Sequence, residues 1–229
     1  MEVENSVCLV TGANRGIGRA FARVLLKHGA AKVYAGARDP STVTDEGVTP
    51  LRLDVTKPED VEAAAAAAGD ATIVINNAGV FGDGTLLEGS FDGARQALDV
   101  NFFGTWAVSR AFAPVLARNG GGALVNMLSV ASWVGRPDWP GYAASKAAQW
   151  SLTEATRQGL SDQGTLVIGV HSGFVDTDLA AFTDAPKIEP ADVAEQTVEA
   201  LKTNSPEVLT DDATRKAKAA LSEPPVPFR

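Results

Sequence analysis

The chain of 229 residues has one cysteine, Cys8, so no intrachain disulfide can form. Cys8 sits in the apolar run S-V-C-L-V-T, where a buried, inert thiol is expected. Positive charge is in deficit: 20 Lys+Arg face 28 Asp+Glu, a net charge of −8. An acidic surface counts against nucleic acid as a partner, because phosphate backbones select basic faces. No apolar run approaches the roughly 20 residues of a membrane span. The start, M-E-V-E-N-S, has neither the basic residues nor the apolar stretch of an export signal, so a cytoplasmic protein is expected. Linkers and internal repeats are also missing, which leaves 1–229 as a single domain. Only the Pro-rich tail 223–229 stands apart; it cannot be helical, and is either disordered or laid against a surface.

What is present is an alternation of short apolar runs with longer helical stretches. Strands are expected at 6–11, 32–37, 49–55, 71–76, 122–129, 165–171 and 206–210. Helices are expected at 19–28, 58–68, about 90–117, about 141–160 and 190–202. Pro114 is expected to bend or end the fourth-strand-to-fifth-strand helix. Repeated strand–helix–strand units imply right-handed crossovers and a parallel sheet covered on both faces. The fold class is α/β: a doubly wound, Rossmann-like sheet in a three-layer αβα domain.

The first strand runs into T-G-A-N-R-G-I-G, residues 11–18, and then into a helix. Gly12, Gly16 and Gly18 allow tight backbone geometry and close ligand approach. The helix start beyond them offers unpaired N–H groups and a positive dipole end, a seat for pyrophosphate. Strand, glycine turn and helix in that order are the context of a dinucleotide site. An arginine near the end of the second strand suits a 2′-phosphate, whereas users of unphosphorylated NAD keep an acid there. Arg38 lies just past that strand and Arg15 lies in the turn itself, so the cofactor expected is NADP (NADPH) rather than NAD. Asp39 stands beside Arg38 and could pair with it.

The G-x3-G-x-G turn after Thr11 resembles that of the short-chain dehydrogenase/reductase family. So do N-N-A-G at 76–79, Asn101 in D-V-N-F-F-G, Ser129 ending the fifth strand, Y-A-A-S-K at 142–146 and G-F-V-D-T at 173–177. Thirteen positions separate Ser129 from Tyr142, as the family requires. The resemblance implies a cofactor held in the turn by Gly12, Asn14, Arg15, Gly16, Ile17 and Gly18. Beyond the turn it implies Arg38, Asp54, Val55, Asn77, Ala78, Gly79, Tyr142, Lys146, Val175 and Thr177. It places the acid of NAD users at Ala37, where no carboxylate stands. Two departures are visible: Leu128 replaces a frequent serine, and Ser172-Gly173 replaces Pro-Gly after the sixth strand.

Tyr142 and Lys146 share a helix face at i and i+4. A phenol ordinarily titrates near pH ~10. A cation within ~4–6 Å can lower a neighbouring acid by roughly 1–3 units, so the pair reads as a general acid/base device. By resemblance, Lys146 also holds the nicotinamide ribose, Ser129 orients the substrate oxygen, and Asn101 holds a water that links Lys146 to solvent. No metal is expected. The activity implied is NADPH-dependent reduction of a ketone or aldehyde, reversible as alcohol oxidation. The alternative is a regulatory protein that senses NADP(H) without catalysis; a halide-releasing enzyme would not need the glycine turn or Lys146.

Trp133, Trp139, Phe81 and Phe182 either line an apolar pocket for a lipophilic small molecule or belong to the core or a subunit contact. The resemblance implies a dimer or tetramer formed through the helices near 90–117 and 141–160. The helical stretch D-D-A-T-R-K-A-K-A-A-L near the C-terminus departs from many relatives and leaves a monomer open.

Overall fold

The computed structural model describes residues 1–223; the tail 224–229 lies outside them. Seven parallel strands form one sheet in the order β3-β2-β1-β4-β5-β6-β7. They are β1 (Val7–Thr11), β2 (Lys32–Ala37), β3 (Thr49–Arg52), β4 (Ile73–Asn76), β5 (Ala123–Met127), β6 (Leu166–His171) and β7 (Glu207–Leu209). The order reverses between β1 and β4, and the crevice outside that point at the carboxyl edge is where ligands bind in doubly wound sheets.

Helices α1 (Gly16–Lys27) and α6 (Pro190–Thr203) pack together on one face, α2 (Pro58–Ala67) and α4 (Thr105–Arg118) on the other. Alternation along the strands feeds both layers. Cys8, Val10, Ile73 and Ile75 join Phe21, Leu25 and Leu201 on the first face, while Leu9 and Val74 join Phe112 and Leu116 on the second. Burial pushes the Cys8 thiol up to about 11, against a weaker lowering by Ser6, which fits an inert core thiol. Among the described residues no helix is long and apolar enough to cross a membrane.

The helix expected over 90–117 is interrupted. It consists of α3 (Asp92–Ala97), a π-helical turn over Leu98–Gly104, and α4. Pro114 does not end α4: it lies on the exposed face, where the carbonyl left unpaired can meet water, and the helix runs to Arg118. Gly104, at the end of the π turn, lets it approach Val55: a Cβ there would lie 2.6 Å from Val55 Cγ2. A wider turn is a local device for re-aiming a helix at a functional site. Here it carries Asn101 inward, fully buried. Helix α5 (Pro140–Gly159) packs against this turn and against α3, and α7 (Asp212–Ala220) follows β7.

Candidate active site

The glycine turn is built as its sequence requires. Gly12 and Gly16 hold φ of +64° and +51°, a region that side-chain-bearing residues avoid. A Cβ on Gly18 would lie 2.1 Å from the Gly12 carbonyl oxygen, so α1 can approach β1 only with glycine there. Arg15 caps α1 without a side-chain hydrogen bond, and no acid occupies the first turn. The N–H groups there face the cleft with no side chain bonded to them, the donor set a pyrophosphate needs.

Asn77 is placed beside this turn, but its side chain is spent on it. Its Nδ2 donates to the carbonyls of Thr11 (3.0 Å) and Gly12 (3.3 Å). The Thr11 hydroxyl in turn accepts from the amides of Asn77 and Ala78, both at 2.9 Å. Thr11 is therefore the staple between β1 and β4, a role not visible in the motif spacing. Asn14 donates to the Thr42 hydroxyl at 3.1 Å.

At the outer end of the cleft, Arg38 is exposed and makes no ion pair among the described residues. Asp39 does not neutralise it. Its carboxylate accepts from the Ser41 amide (3.0 Å) and hydroxyl (2.7 Å), capping a short turn, and these bonds hold it below the usual carboxylate range. Arg15, by contrast, pairs with Asp178 at 3.3 Å, both side chains largely exposed. Such a surface pair holds an arginine only loosely. Asp54 accepts from the Thr56 amide and hydroxyl. Burial works against its charge, but those bonds, with Arg38 and Lys57 nearby, lower its pKa overall.

Three of the four expected catalytic residues, Ser129, Tyr142 and Lys146, line the inner end of the cleft, whereas Asn101 is fully buried and is not part of its lining. Ser129 lies two residues past β5 and caps a 3-10 turn, its hydroxyl accepting from the Ala131 amide at 3.1 Å, and it acts on the Tyr142 phenol to lower its pKa. Lys146, one helical turn beyond Tyr142, is buried with Nζ 5.9 Å from the phenol ring centroid. That ammonium donates to the Met127 carbonyl (2.7 Å) and to Gln149 Oε1 (2.8 Å), and Gln149 Nε2 donates to the Thr105 hydroxyl (2.8 Å). Asn101 Oδ1 accepts from the Val80 amide, and its Nδ2 donates to the Val80 carbonyl and the Ser145 hydroxyl, all at 2.9 Å. Both of its Nδ2 hydrogens and one acceptor site of Oδ1 are used in this way.

One expectation is reversed. The protein alone does not make the phenol more acidic. Burial pushes Tyr142 above the ordinary phenol value, with only the Ser129 bond acting the other way. Burial also pushes Lys146 down to about 7. The i,i+4 spacing puts the two groups on one face, as read. However, removing both from water opposes each charged form, and desolvation outweighs their mutual attraction.

Aromatic rings wall the site. Phe81 stacks on Tyr142 with centroids 4.6 Å apart, and Trp139 and Phe182 each lie 5.2 Å from Phe81. Phe174, which the sequence did not single out, completes the wall beside Trp139 and Phe182. Trp133 does not belong to it. Its ring stacks on His171 at 3.9 Å under the Lys218 ammonium, away from the cleft. Burial pushes that histidine down to about 4, so it stays neutral at neutral pH.

These parts line one continuous cleft of about 1510 Å³ that runs from Arg38 past the glycine turn to Tyr142 and the aromatic wall. Val55, Ala78, Gly79, Val175 and Thr177 line it between the two ends. The free helix-start amides, the exposed Arg38 and the inner acid/base pair together fit an extended anionic dinucleotide.

Known proteins resemble this chain in sequence and in fold. The family model described as short chain dehydrogenase matches residues 6–187. A short chain dehydrogenase of Monascus ruber, pigC, is 33% identical over 202 residues, covering 80% of this chain and 67% of its own. A short chain dehydrogenase of Burkholderia cenocepacia, solved in complex with NADP, superposes with a TM-score of 0.93 at 37% identity, covering 97% of this chain and 95% of that one. A short chain dehydrogenase/reductase of Burkholderia phymatum, solved with NAD, gives a TM-score of 0.87 at 27% identity over 100% of this chain and 99% of that one.

Proposed function

This chain belongs to the short-chain dehydrogenase/reductase family of oxidoreductases, and on that premise we propose that it reduces apolar ketones or aldehydes with NADPH, reversibly. The observation that carries the reading is the position of Tyr142. It lines an aromatic-walled cleft together with Ser129 and with Lys146, which lies one helical turn further along α5.

NADPH, when bound, supplies the hydride that the carbonyl carbon receives. The glycine-turn amides would hold its pyrophosphate, Asp54 its adenine, Lys146 its nicotinamide ribose, and Val175 and Thr177 its nicotinamide end. The Ser129 hydroxyl orients the substrate oxygen. Tyr142 then donates its proton to that oxygen as negative charge develops on it. Because burial raises the phenol, Tyr142 is protonated at neutral pH, the state this direction requires. Phe81, Trp139, Phe174 and Phe182 exclude water and suit a lipophilic substrate. Both Nδ2 hydrogens of Asn101 are engaged, so a water that it held for proton resupply through Lys146 would bond to Oδ1.

The substrate class is tested by following NADPH oxidation across a carbonyl panel. Aryl and alkyl ketones or aldehydes are expected to outpace sugar-like carbonyls. Preference for charged, sugar-like compounds alone would defeat the substrate assignment.

Arg38 carries the choice of NADPH. It has no protein partner among the described residues, Asp39 is engaged elsewhere, and Ala37 stands where an acid would bind a 2′-hydroxyl. Loss of a charge-assisted hydrogen bond corresponds to roughly 10- to 100-fold in affinity. Arg38→Ala is therefore expected to weaken NADPH by that factor, read by titration calorimetry, and to leave NADH nearly unchanged. Equal weakening of both dinucleotides would remove the phosphate assignment.

A further inference from the structure

The wall of the cleft beyond β6 carries Ser172-Gly173 where the resemblance leads to Pro-Gly, so the ring that would stiffen its backbone is missing. A different restraint takes its place. The Gly173 amide donates to Asp211 Oδ2 at 2.7 Å, across 38 positions. Asp211 stands between β7 and α7, and its other oxygen accepts from the Thr214 amide at 2.8 Å. The Thr214 hydroxyl accepts from the Asp211 amide at 3.2 Å, closing a capping box at the start of α7. One carboxylate therefore seals a helix start and ties down the wall of the cleft.

The chemistry of the tie is selective. An ionised carboxylate accepts at both oxygens, whereas a side-chain amide accepts at only one. Bonds to a charged acceptor are roughly twice as strong as neutral ones. The fit is also close, since a Cβ on Gly173 would lie 2.8 Å from Asp211 Oδ2. On either side the backbone is held by neutral bonds. The Ser172 carbonyl accepts from Val130 at 2.9 Å, and the Phe174 carbonyl accepts from Ile188 at 3.0 Å. The charge-assisted bond is the one that comes from α7. Val175 and Thr177, two and four residues beyond Gly173, line the cleft.

We propose that Asp211 is a positioning residue for the dinucleotide: it fixes the backbone at Gly173 in place of the absent proline and so couples α7 to cofactor affinity. The proposal rests on the reading of the cleft as an NADP(H) site. By linkage, dinucleotide binding stabilises the tie as much as the tie favours binding.

The test uses the full chain with three substitutions. Asp211→Asn keeps the shape but leaves one of the two amides facing a donor. Asp212→Asn removes the same charge from the next residue, which pairs with Arg215 at 2.7 Å. Thr214→Val breaks the returned bond of the capping box without touching Gly173. Hydrogen exchange at the Gly173 amide and NADPH affinity are measured for each. Asp211→Asn is expected to raise the exchange rate and the NADPH Kd each by roughly tenfold. The pH profile of kcat should not move, because the proton-transfer groups are untouched. The two other variants should stay within about twofold of wild type in both measurements. The proposal is overturned if Asp211→Asn binds NADPH and exchanges like wild type, or if Thr214→Val weakens binding equally. Wild type that binds neither NADPH nor NADH would instead overturn the functional reading, a result distinct from normal wild-type binding that Asp211→Asn leaves intact.

Discussion

Tyr142→Phe is expected to lower carbonyl reduction by roughly 10²- to 10⁴-fold at neutral pH, the range a positioned general acid contributes. The substitution removes one oxygen and little else. The ring remains, and with it the stack on Phe81 at 4.6 Å. The Ser129 hydroxyl keeps the Ala131 amide at 3.1 Å. The fold and the glycine turn do not depend on the phenol oxygen, so NADPH affinity should stay within a few-fold of wild type. Steady-state turnover beside calorimetric binding of NADPH checks both halves. Turnover equal to wild type would remove Tyr142 as the acid. A parallel collapse of dinucleotide binding would make its role structural.

Lys146→Met should produce the second large effect, and an asymmetric one. Alcohol oxidation needs the phenolate, and the ammonium, with Nζ 5.9 Å from the phenol ring, is the cation placed to favour it. A cation in that position lowers a neighbouring acid by roughly 1–3 units while it stays charged, which Lys146 does below about pH 7, and the substitution removes that effect. At pH 7 and saturating dinucleotide, oxidation then falls by on the order of 10- to 10³-fold and recovers as pH is raised. Reduction uses the protonated phenol and should lose less. An unshifted oxidation profile, or a greater loss in reduction, would contradict this account.

The same substitution has a stability signature. Burial pushes Lys146 from 10.5 down to about 7. Between those values the unfolded chain holds a proton that the folded chain has released, so this group makes wild-type stability rise with pH. The rise is at most about 1.4 kcal/mol per pH unit. Below about pH 7 both states are charged and the full penalty of burial is present; above 10.5 neither is. Lys146→Met lacks the titration, so the stability difference between the two proteins, from urea unfolding at several pH values, should change across this window. A constant difference would show that the lysine is not desolvated as the structure places it.

Much of this was readable from the chain because the relevant physics is local. Gly12, Gly16 and Gly18 are constrained by a turn seven residues long, and Tyr142 and Lys146 by one turn of helix. The alternation of Cys8, Leu9 and Val10 between the two core faces follows from strand geometry alone. The misses are contacts between distant positions. The Asp211 tie to Gly173 spans 38 residues, and the Gln149 bond to Thr105 spans 44. Neither leaves a periodic trace. Gln149 offered a faint signal, a polar side chain three positions after Lys146 on the same face; Asp211 offered none beyond a helix cap. Trp133 was grouped with the wrong rings because the aim of the short turn after β5 is set by packing on His171. The π-helical turn was hidden because one extra residue per turn barely changes the apolar pattern of so short a segment.

The order of residues alone determined that this chain would build a parallel sheet, a glycine turn for a dinucleotide and a serine–tyrosine–lysine set, since the strand alternation, the turn and the Tyr–Lys pair depend on local spacings and the serine on a fixed interval of thirteen. Only the tertiary structure decided that burial opposes the Tyr142 phenolate, that Lys146 is shared with Met127 and Gln149, and that the C-terminal helix reaches the cleft. The reason is physical: desolvation and long-range hydrogen bonds depend on which segments close over a group in space, and no local spacing encodes that.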